Sequence, residues 1–280
     1  MNNSKLETTT IVDQNVPKGH DIRAVILAGG RGTRLYPYTA FLPKPLVPLG
    51  EVPILEVVIT QLIQHGITDI TLTLGHLAEL IKAYFARHKR LAEQVTLRFV
   101  EEEAPTGTAG SLASVDGLST TFLVMNGDLL MDIDFQALLA FHREQGAQLT
   151  IATYKRKEKI DLGVLEIGEG SQVTGYIEKP TYDYQVSMGV YVYEPTVLEL
   201  IEPGVYLDFP TLVLRLLEKG GKVCAYPWEG FWLDIGRPDD YAQAQALFAE
   251  RPEDFGFPKK NKNGHLSSDK SPASFGGTRR

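Results

Sequence analysis

The chain holds a single cysteine, Cys224, among its 280 residues. One thiol cannot close an internal disulfide, so nothing points to an oxidising compartment. No apolar run approaches the roughly 18 residues that a membrane-spanning helix needs. The first twenty residues are polar and lack the apolar stretch of a secretory leader. Positive charge is also scarce, since 28 Lys and Arg stand against 35 Asp and Glu, a net charge of -7. A general binder of nucleic acid or of an anionic membrane needs a basic face, so neither is an expected partner. A small anion held in a local cationic pocket remains compatible with that balance. Together these absences imply a soluble, cytoplasmic protein.

What is present suits a packed core. The hydrophobic content of 43% is ordinary for a globular chain, and the length allows one large domain or two small ones. Residues 1–20 and 251–280 are polar and aperiodic and bury too little apolar surface to offset ordering entropy, so both are expected as flexible tails. Between them, strand patterns alternate with helical ones. "RAVILA" (Arg23 to Ala28) predicts a buried strand, and "ILEVVITQLIQHG" a helix started near Pro53 and stopped at Gly66. "DITLTLG", "TLRFVEE" and "TFLVMNGD" follow as strands, "LAELIKAYFARHK" and "FQALLAFHREQG" as helices, the last capped by Asp134. Such alternation predicts an open, mostly parallel α/β sheet with helices on both faces.

After Gln145 the rhythm changes. "LTIATY", "GVLEI", "VTGYIE", "MGVYVY", "KVCAYP" and "FWLDIG" predict strands, with helical patterns only around Val197 and Leu214. The second half, about residues 149–250, is therefore expected as a smaller β-rich part built onto a first part of about 21–148.

Ligands of open α/β sheets bind outside the carboxyl ends of the strands. "GGRGTRLYP" lies at such a place, directly after the first strand. Amides of Gly29, Gly30 and Gly32 can approach phosphate oxygens with no Cβ in the way, and Arg34 adds a planar fork of donors. Lys44, between two prolines in "PKP", has a restricted backbone. A Walker A loop is disfavoured because no Gly-Lys-Ser/Thr follows. A nicotinamide-binding fingerprint, and so an oxidoreductase, is disfavoured because Leu35 stands where its third glycine belongs. A mere tight turn explains the glycines and leaves both cations idle.

The stretch resembles the signature of sugar-1-phosphate nucleotidyltransferases, G-G-x-G-T-R-L-x-P followed by P-K-P. The similarity continues in order through "PTGTAGSL", "MNGDLL", "GVLEI", "YIEKP" and "FWLDIGRPDDY", covering about Arg23 to Phe248. It implies a Rossmann-like α/β fold with a β-rich sugar-binding part. Many members add a C-terminal parallel β-helix, of which the residues after Arg251 show no hexapeptide periodicity. The implied partners are a nucleoside triphosphate and a sugar 1-phosphate, with homo-oligomerisation left open.

The resemblance also implies roles. Catalysis falls to Arg34, Lys44 and Asp128, and Mg²⁺ to Asp128 and Asp234. Leu27, Ala28, Gly29, Gly30, Gly32, Thr33, Arg34, Gly107 and Thr108 are expected around the nucleotide. Gly163, Glu178, Lys179 and Ser187 are expected around the sugar phosphate. Without the resemblance Asp128 would pass as a turn residue, Asp234 as a hydrogen-bonded acid in a half-buried strand, and Glu178–Lys179 as a surface ion pair. Asp132 and Asp134 are nearby acids that need no metal role.

Ser187 and Met188 depart from the Asn-Ala that such proteins usually carry there, which bears on the sugar. "GTAG" is similar to mannose-1-phosphate guanylyltransferases, and a carboxylate among Glu101, Glu102 and Glu103 can accept paired N–H groups of guanine. GTP and mannose 1-phosphate are therefore expected. UTP, dTTP, CTP, a heptose 1-phosphate, or a catalytically silent sensor of nucleotide sugars are the alternatives.

Overall fold

The computed structural model describes residues 9–11, 22–88, 91 and 93–259. In chain order the first half holds β1 (Thr9–Ile11), β2 (Arg23–Ala28), β3 (Pro48–Leu49), β4 (Val52–Pro53), α1 (Ile54–Gln64), β5 (Asp69–Leu74) and α2 (Ala78–Arg87). There follow β6 (Thr96–Glu101), the short α3 (Gly107–Gly110), β7 (Phe122–Asn126), β8 (Leu129–Met131) and α4 (Phe135–Gln145). The second half holds β9 (Leu149–Lys159), β10 (Val164–Ile167), β11 (Val173–Ile177), β12 (Thr181–Tyr193), α5 (Phe209–Glu218), β13 (Val223–Trp228), β14 (Trp232–Asp234) and α6 (Pro238–Glu250).

The apolar run of β2 is buried on both faces. Ala24, Ile26 and Ala28 join a cluster with α1, α2 and α4, while Val25 joins a second cluster with the segment after α3 and with α5. Helices therefore cover both sides of the sheet, which is why its central strands need no polar alternation. An eight-stranded sheet runs β1-β6-β5-β2-β7-β12-β9-β13. β2 pairs in parallel with β5 (Ile26 opposite Leu72) and with β7 (Ile26 opposite Met125). The chain thus winds outward from β2 through β5 to β6 and returns to lay β7 on the other side. That reversal leaves a crevice at the carboxyl ends of β2 and β7, where ligands of such sheets bind.

Strands of the second half extend this sheet, and β10–β11 forms a separate two-stranded ribbon. β12 runs antiparallel to both β7 and β9, and β13 runs parallel to β9. A bulge lies between Ser187 and Tyr191 of β12, where Gly189 takes φ +74°. The far half of β9, Lys155 to Lys159, and most of the β10–β11 ribbon are exposed.

A third apolar cluster locks distant segments together. Leu35 from the glycine loop, Val47 and Leu49 from the following turn, and Leu130 of β8 meet Ile235 and the α6 residues Tyr241, Ala244 and Phe248. The antiparallel pair β8–β14 runs into this cluster, with Leu233 opposite Leu130.

Two expectations about the tails need correction. Thr9–Ile11, inside the expected N-terminal tail, pairs antiparallel with β6 at the sheet edge. Beyond residue 250, Pro252–Phe255 forms a 3-10 turn whose Phe255 is buried against Phe248, with ring centroids 5.9 Å apart. Two aromatic side chains, Phe255 and Phe257, supply the apolar area that composition averaged over the segment conceals. Residues 1–8, 12–21 and 260–280 lie outside the described residues. Removing a fully buried phenylalanine ring costs about 3–5 kcal/mol. Urea unfolding of Phe255→Ala should show a loss of that size, and a loss under about 1 kcal/mol would place Phe255 outside the core.

Candidate active site

The glycine loop leaves β2 at Ala28 and tightens into a 3-10 turn, Thr33–Leu35. Gly32 precedes it with φ +62°, and a β-carbon there would lie 2.8 Å from Lys44 Cβ. Left-handed backbone and close approach both require glycine at that position. Thr39 Oγ1 donates to Gly32 O at 2.9 Å, and buried Leu35 anchors the turn in the third cluster, leaving neighbouring Arg34 exposed. Lys44 opens its own 3-10 turn and is almost buried, at 9% exposure.

An ammonium so placed needs a counter-charge, and it has one. Lys44 Nζ donates to Asp128 Oδ2, just past the carboxyl end of β7. The other oxygen, Asp128 Oδ1, is buried and has no hydrogen-bond partner among the described residues. The β8–β14 ladder places Asp234 opposite Leu129, and Ile235 N donates to Asp128 O at 3.0 Å. Asp234 is thereby seated beside Asp128. Burial first, and then the Asp128 charge, push the Asp234 carboxyl above the usual carboxylate range, while Lys44 and Arg34 pull it back.

Arg34 arrives from the other side. A β-carbon built on Gly236 would lie 3.6 Å from Asp234 Oδ2 and 3.7 Å from both Arg34 Nη2 and Asp240 Oδ2. The structure thus brings together four residues expected at the reaction centre: Arg34, Lys44, Asp128 and Asp234. Asp240, which sequence reasoning passed over, joins them from the first turn of α6, where its carboxylate accepts from Arg237 N at 2.9 Å. Pro238 followed by two acids was the available signal, a helix start facing the end of β14.

An unpartnered buried carboxylate oxygen beside a second carboxylate is a pair of oxygen donors open to a cation. It suits a hard divalent ion such as Mg²⁺, which takes one or two carboxylates and completes its shell with phosphate and water. Among the described residues no group of three or more His, Cys, Asp or Glu is gathered for a metal, so a site with more protein ligands is not formed there. Asp132 and Asp134 have structural work instead. Asp132 accepts from Trp228 Nε1 and Phe231 N, and Asp134 caps α4 as expected.

A cleft of about 300 Å³ opens from this cluster along the carboxyl ends of β2 and β7. Leu27, Ala28, Gly29, Gly30, Gly107 and Thr108 all line it, with Lys44 and Asp128. Gly32, Thr33 and Arg34 belong to the adjoining turn and are not part of its wall. Gly107 has φ +86°, and a β-carbon there would meet Leu207 O at 2.5 Å. The Thr108 hydroxyl accepts from Phe209 N at 2.9 Å. Of the three consecutive glutamates only Glu102 lines the cleft. Glu101 pairs with Lys82 at 2.5 Å. Glu102 Oε1 accepts from Thr106, and its Oε2 lies 3.1 Å from where a Gly29 side chain would begin. Thr73, Ser111 and Asn126 also line the cleft and were not singled out from the sequence.

The expected sugar residues are not part of this wall. Glu178 and Lys179 are exposed at the end of β11, with Lys179 at φ +46°. The Tyr176 hydroxyl donates to Glu178 Oε2 at 2.9 Å and sits over Gly163. Ser187 donates to the Tyr191 hydroxyl at 3.1 Å, and Met188 is buried in the core with its carbonyl accepting from Trp232 Nε1.

Residues 23–251 match the family model described as nucleotidyl transferase. The chain belongs to this family. It is 32% identical over 241 residues to UTP–glucose-1-phosphate uridylyltransferase of Synechocystis sp., covering 80% of this chain and 62% of that protein. It is 31% identical over 241 residues to mannose-1-phosphate guanyltransferase beta-A of Xenopus laevis, covering 82% and 65% respectively. The chain therefore spans 62–65% of the length of these curated relatives. Among solved structures, HddC from Yersinia pseudotuberculosis superposes with TM-score 0.63 at 26% identity, covering 81% of this chain and 99% of that one. The same protein complexed with GMP-PN gives 0.62 at 25% identity, with the same coverage. Membership of the nucleotidyl transferase family agrees with the mostly parallel α/β sheet and takes the place of the nicotinamide alternative. No helix among the described residues is long and apolar enough to cross a membrane.

The Asp234 environment predicts a pH-dependent stability. A carboxyl whose folded-state proton affinity exceeds its unfolded one opposes folding when it ionises. That penalty is absent below the ordinary aspartate range and complete above the raised folded value. Metal-free Asp234→Asn should therefore melt higher than the parent at pH 7.5, by a margin that shrinks towards pH 4. An equal or lower melting temperature at pH 7.5 would contradict this account of the cluster.

Proposed function

We propose that this chain transfers a nucleotidyl group from a nucleoside triphosphate, GTP, to a sugar 1-phosphate, mannose 1-phosphate, releasing pyrophosphate. The observation that carries the reading is the meeting of Arg34 and Lys44 with Asp128 and Asp234 at the crevice between β2 and β7. Two cations and two acids at one point suit chemistry between two polyanions.

The sugar phosphate is ionised near neutral pH, so its oxygen attacks the α-phosphorus without a general base. The new P–O bond forms as the bond to the β-phosphate breaks, and the electron pair leaves with pyrophosphate. The protein's task is alignment and charge stabilisation. Amides of Gly29 and Gly30 take phosphate oxygens, Arg34 the departing pyrophosphate, and Lys44 the oxygens around the reacting phosphorus. Lys179 holds the sugar phosphate, Glu178 accepts from sugar hydroxyls, and the Gly163 backbone completes that side. Mg²⁺ held by Asp128 and Asp234 would add Lewis-acid charge at the phosphates.

Guanine is favoured by Glu102. Its carboxylate lines the cleft above Gly29, with Thr106 holding one oxygen, and an ionised carboxylate matches the adjacent N1–H and 2-amino donors of guanine. Uracil presents a single N–H flanked by carbonyls and would meet repulsion there. The Synechocystis uridylyltransferase, as similar as the guanyltransferase, favours the second reading of the same chemistry with UTP. The silent-sensor alternative leaves this cluster of cations and carboxylates without a purpose.

A matrix of GTP, ATP, UTP, dTTP and CTP against mannose, glucose and heptose 1-phosphates, resolved by product mass, tests the assignment. GDP-mannose is the expected main product, and a preference for UTP or dTTP would refute the base. Asp128→Ala and Asp234→Ala should each lower kcat at least about a hundredfold, the scale of losing one electrostatic stabiliser. Near-parental rates in either would refute the mechanism. Lys179→Ala should raise KM for the sugar phosphate while leaving KM for the nucleotide unchanged.

A further inference from the structure

Besides Asp128 Oδ1, one side-chain group in the cleft wall is buried without a hydrogen-bond partner among the described residues. Ser111 begins the 3-10 turn, Ser111–Ser114, that continues α3, and is 2% exposed. Its hydroxyl has no hydrogen-bond partner among the described residues. Its neighbours Ala109 and Leu112 pack into the second apolar cluster, where alanine at 111 would spare the fold a buried, unpaired hydroxyl. Thr71 also carries an unpartnered hydroxyl, yet it is not in the wall of the cleft. Ser111 is in that wall, with Leu27, Thr73, Glu102 and Gly107.

We infer that the Ser111 hydroxyl recognises the base of the bound nucleotide directly. The inference rests on the nucleotide reading above and adds a residue to it. Ser111 follows Gly107 by about one turn, and both line the same cleft as Glu102 and as the Lys44–Asp128 pair that the nucleotide reading assigns to the phosphates. Thr108, the hydroxyl expected to serve the base, already accepts from Phe209 N and secures the start of α5. A hydroxyl both donates and accepts, so Ser111 can satisfy a ring nitrogen or carbonyl that Glu102, an acceptor only, cannot. The serine thus burdens the empty fold and is used when a base fills the cleft.

The test compares the full chain with Ser111→Ala, using GTP, UTP, dTTP, CTP and ATP by calorimetry, inorganic tripolyphosphate as a base-free competitor, and thermal melting without ligand. Loss of one hydrogen bond to the base should raise Kd for the preferred nucleotide about tenfold. Tripolyphosphate should compete equally well with both proteins, and the ligand-free variant should melt no lower than the parent. A Kd within twofold of the parent, an equal weakening of tripolyphosphate, or a lower melting temperature would each overturn the inference. Parent protein that binds none of the five nucleotides would instead overturn the nucleotide reading, and this inference with it.

Discussion

The pairing of β8 with β14 is the constraint on which the site depends. Three residue pairs set Asp234 opposite Leu129, and one further bond, Ile235 N to Asp128 O, closes the approach to the first acid. Like charges so placed repel, and a half-buried position removes the water that would screen them. The raised proton affinity of Asp234 records that cost. What offsets it is packing behind the site, where Leu130, Ile235 and the apolar side of α6 close on Leu35 from the glycine loop. A single apolar cluster therefore holds the anionic pair and the loop that carries the cation, so neither can shift without the other.

The switch in strand order accounts for the rest of the geometry. Because β5 and β6 lie on one side of β2 and β7 on the other, the chain diverges at the carboxyl ends and leaves an opening no crossover fills. Gly29 and Gly30 leave β2 into that opening, and Asp128 enters from β7. Lys44 reaches Asp128 across it because Gly32 has no side chain to hold the two loops apart.

Much of this was legible in the residues. Continuous apolar runs marked β2, β5, β6 and β7, and Asp134 marked the start of α4. The glycine loop, Lys44, Asp128 and Asp234 were named from their motifs, and the fold brings them together. What stayed hidden has physical reasons. β8 is three residues long and α6 shows a weak apolar stripe, so neither presents a periodicity to read. Thr108 accepts a long-range bond from Phe209 N, and Ser111 differs from any other buried serine only through what surrounds it. Neither fact is local in sequence. Phe255 shows the complementary failure, since two aromatic residues in a polar segment are enough to dock it.

The residues proposed for the base and those proposed for the sugar phosphate lie apart: Glu102 lines the cleft, and Glu178, Lys179 and Ser187 do not. On the proposed reading base choice would be set by side chains in the cleft wall, Glu102 among them, and sugar choice by the exposed ribbon with Tyr176 and Glu178 and by the bulge at Ser187. The sheet, its two covered faces and the loops at its carboxyl edge are built by many residues, and the cleft wall by few. Overall identity can then be nearly equal to a uridylyltransferase and a guanyltransferase, as it is at 32% and 31%, without bearing on specificity. Met188 illustrates the same asymmetry from the core side. It is buried and its carbonyl is held by Trp232, so the departure at Ser187–Met188 leaves the packing whole and alters only what the neighbouring hydroxyl can reach.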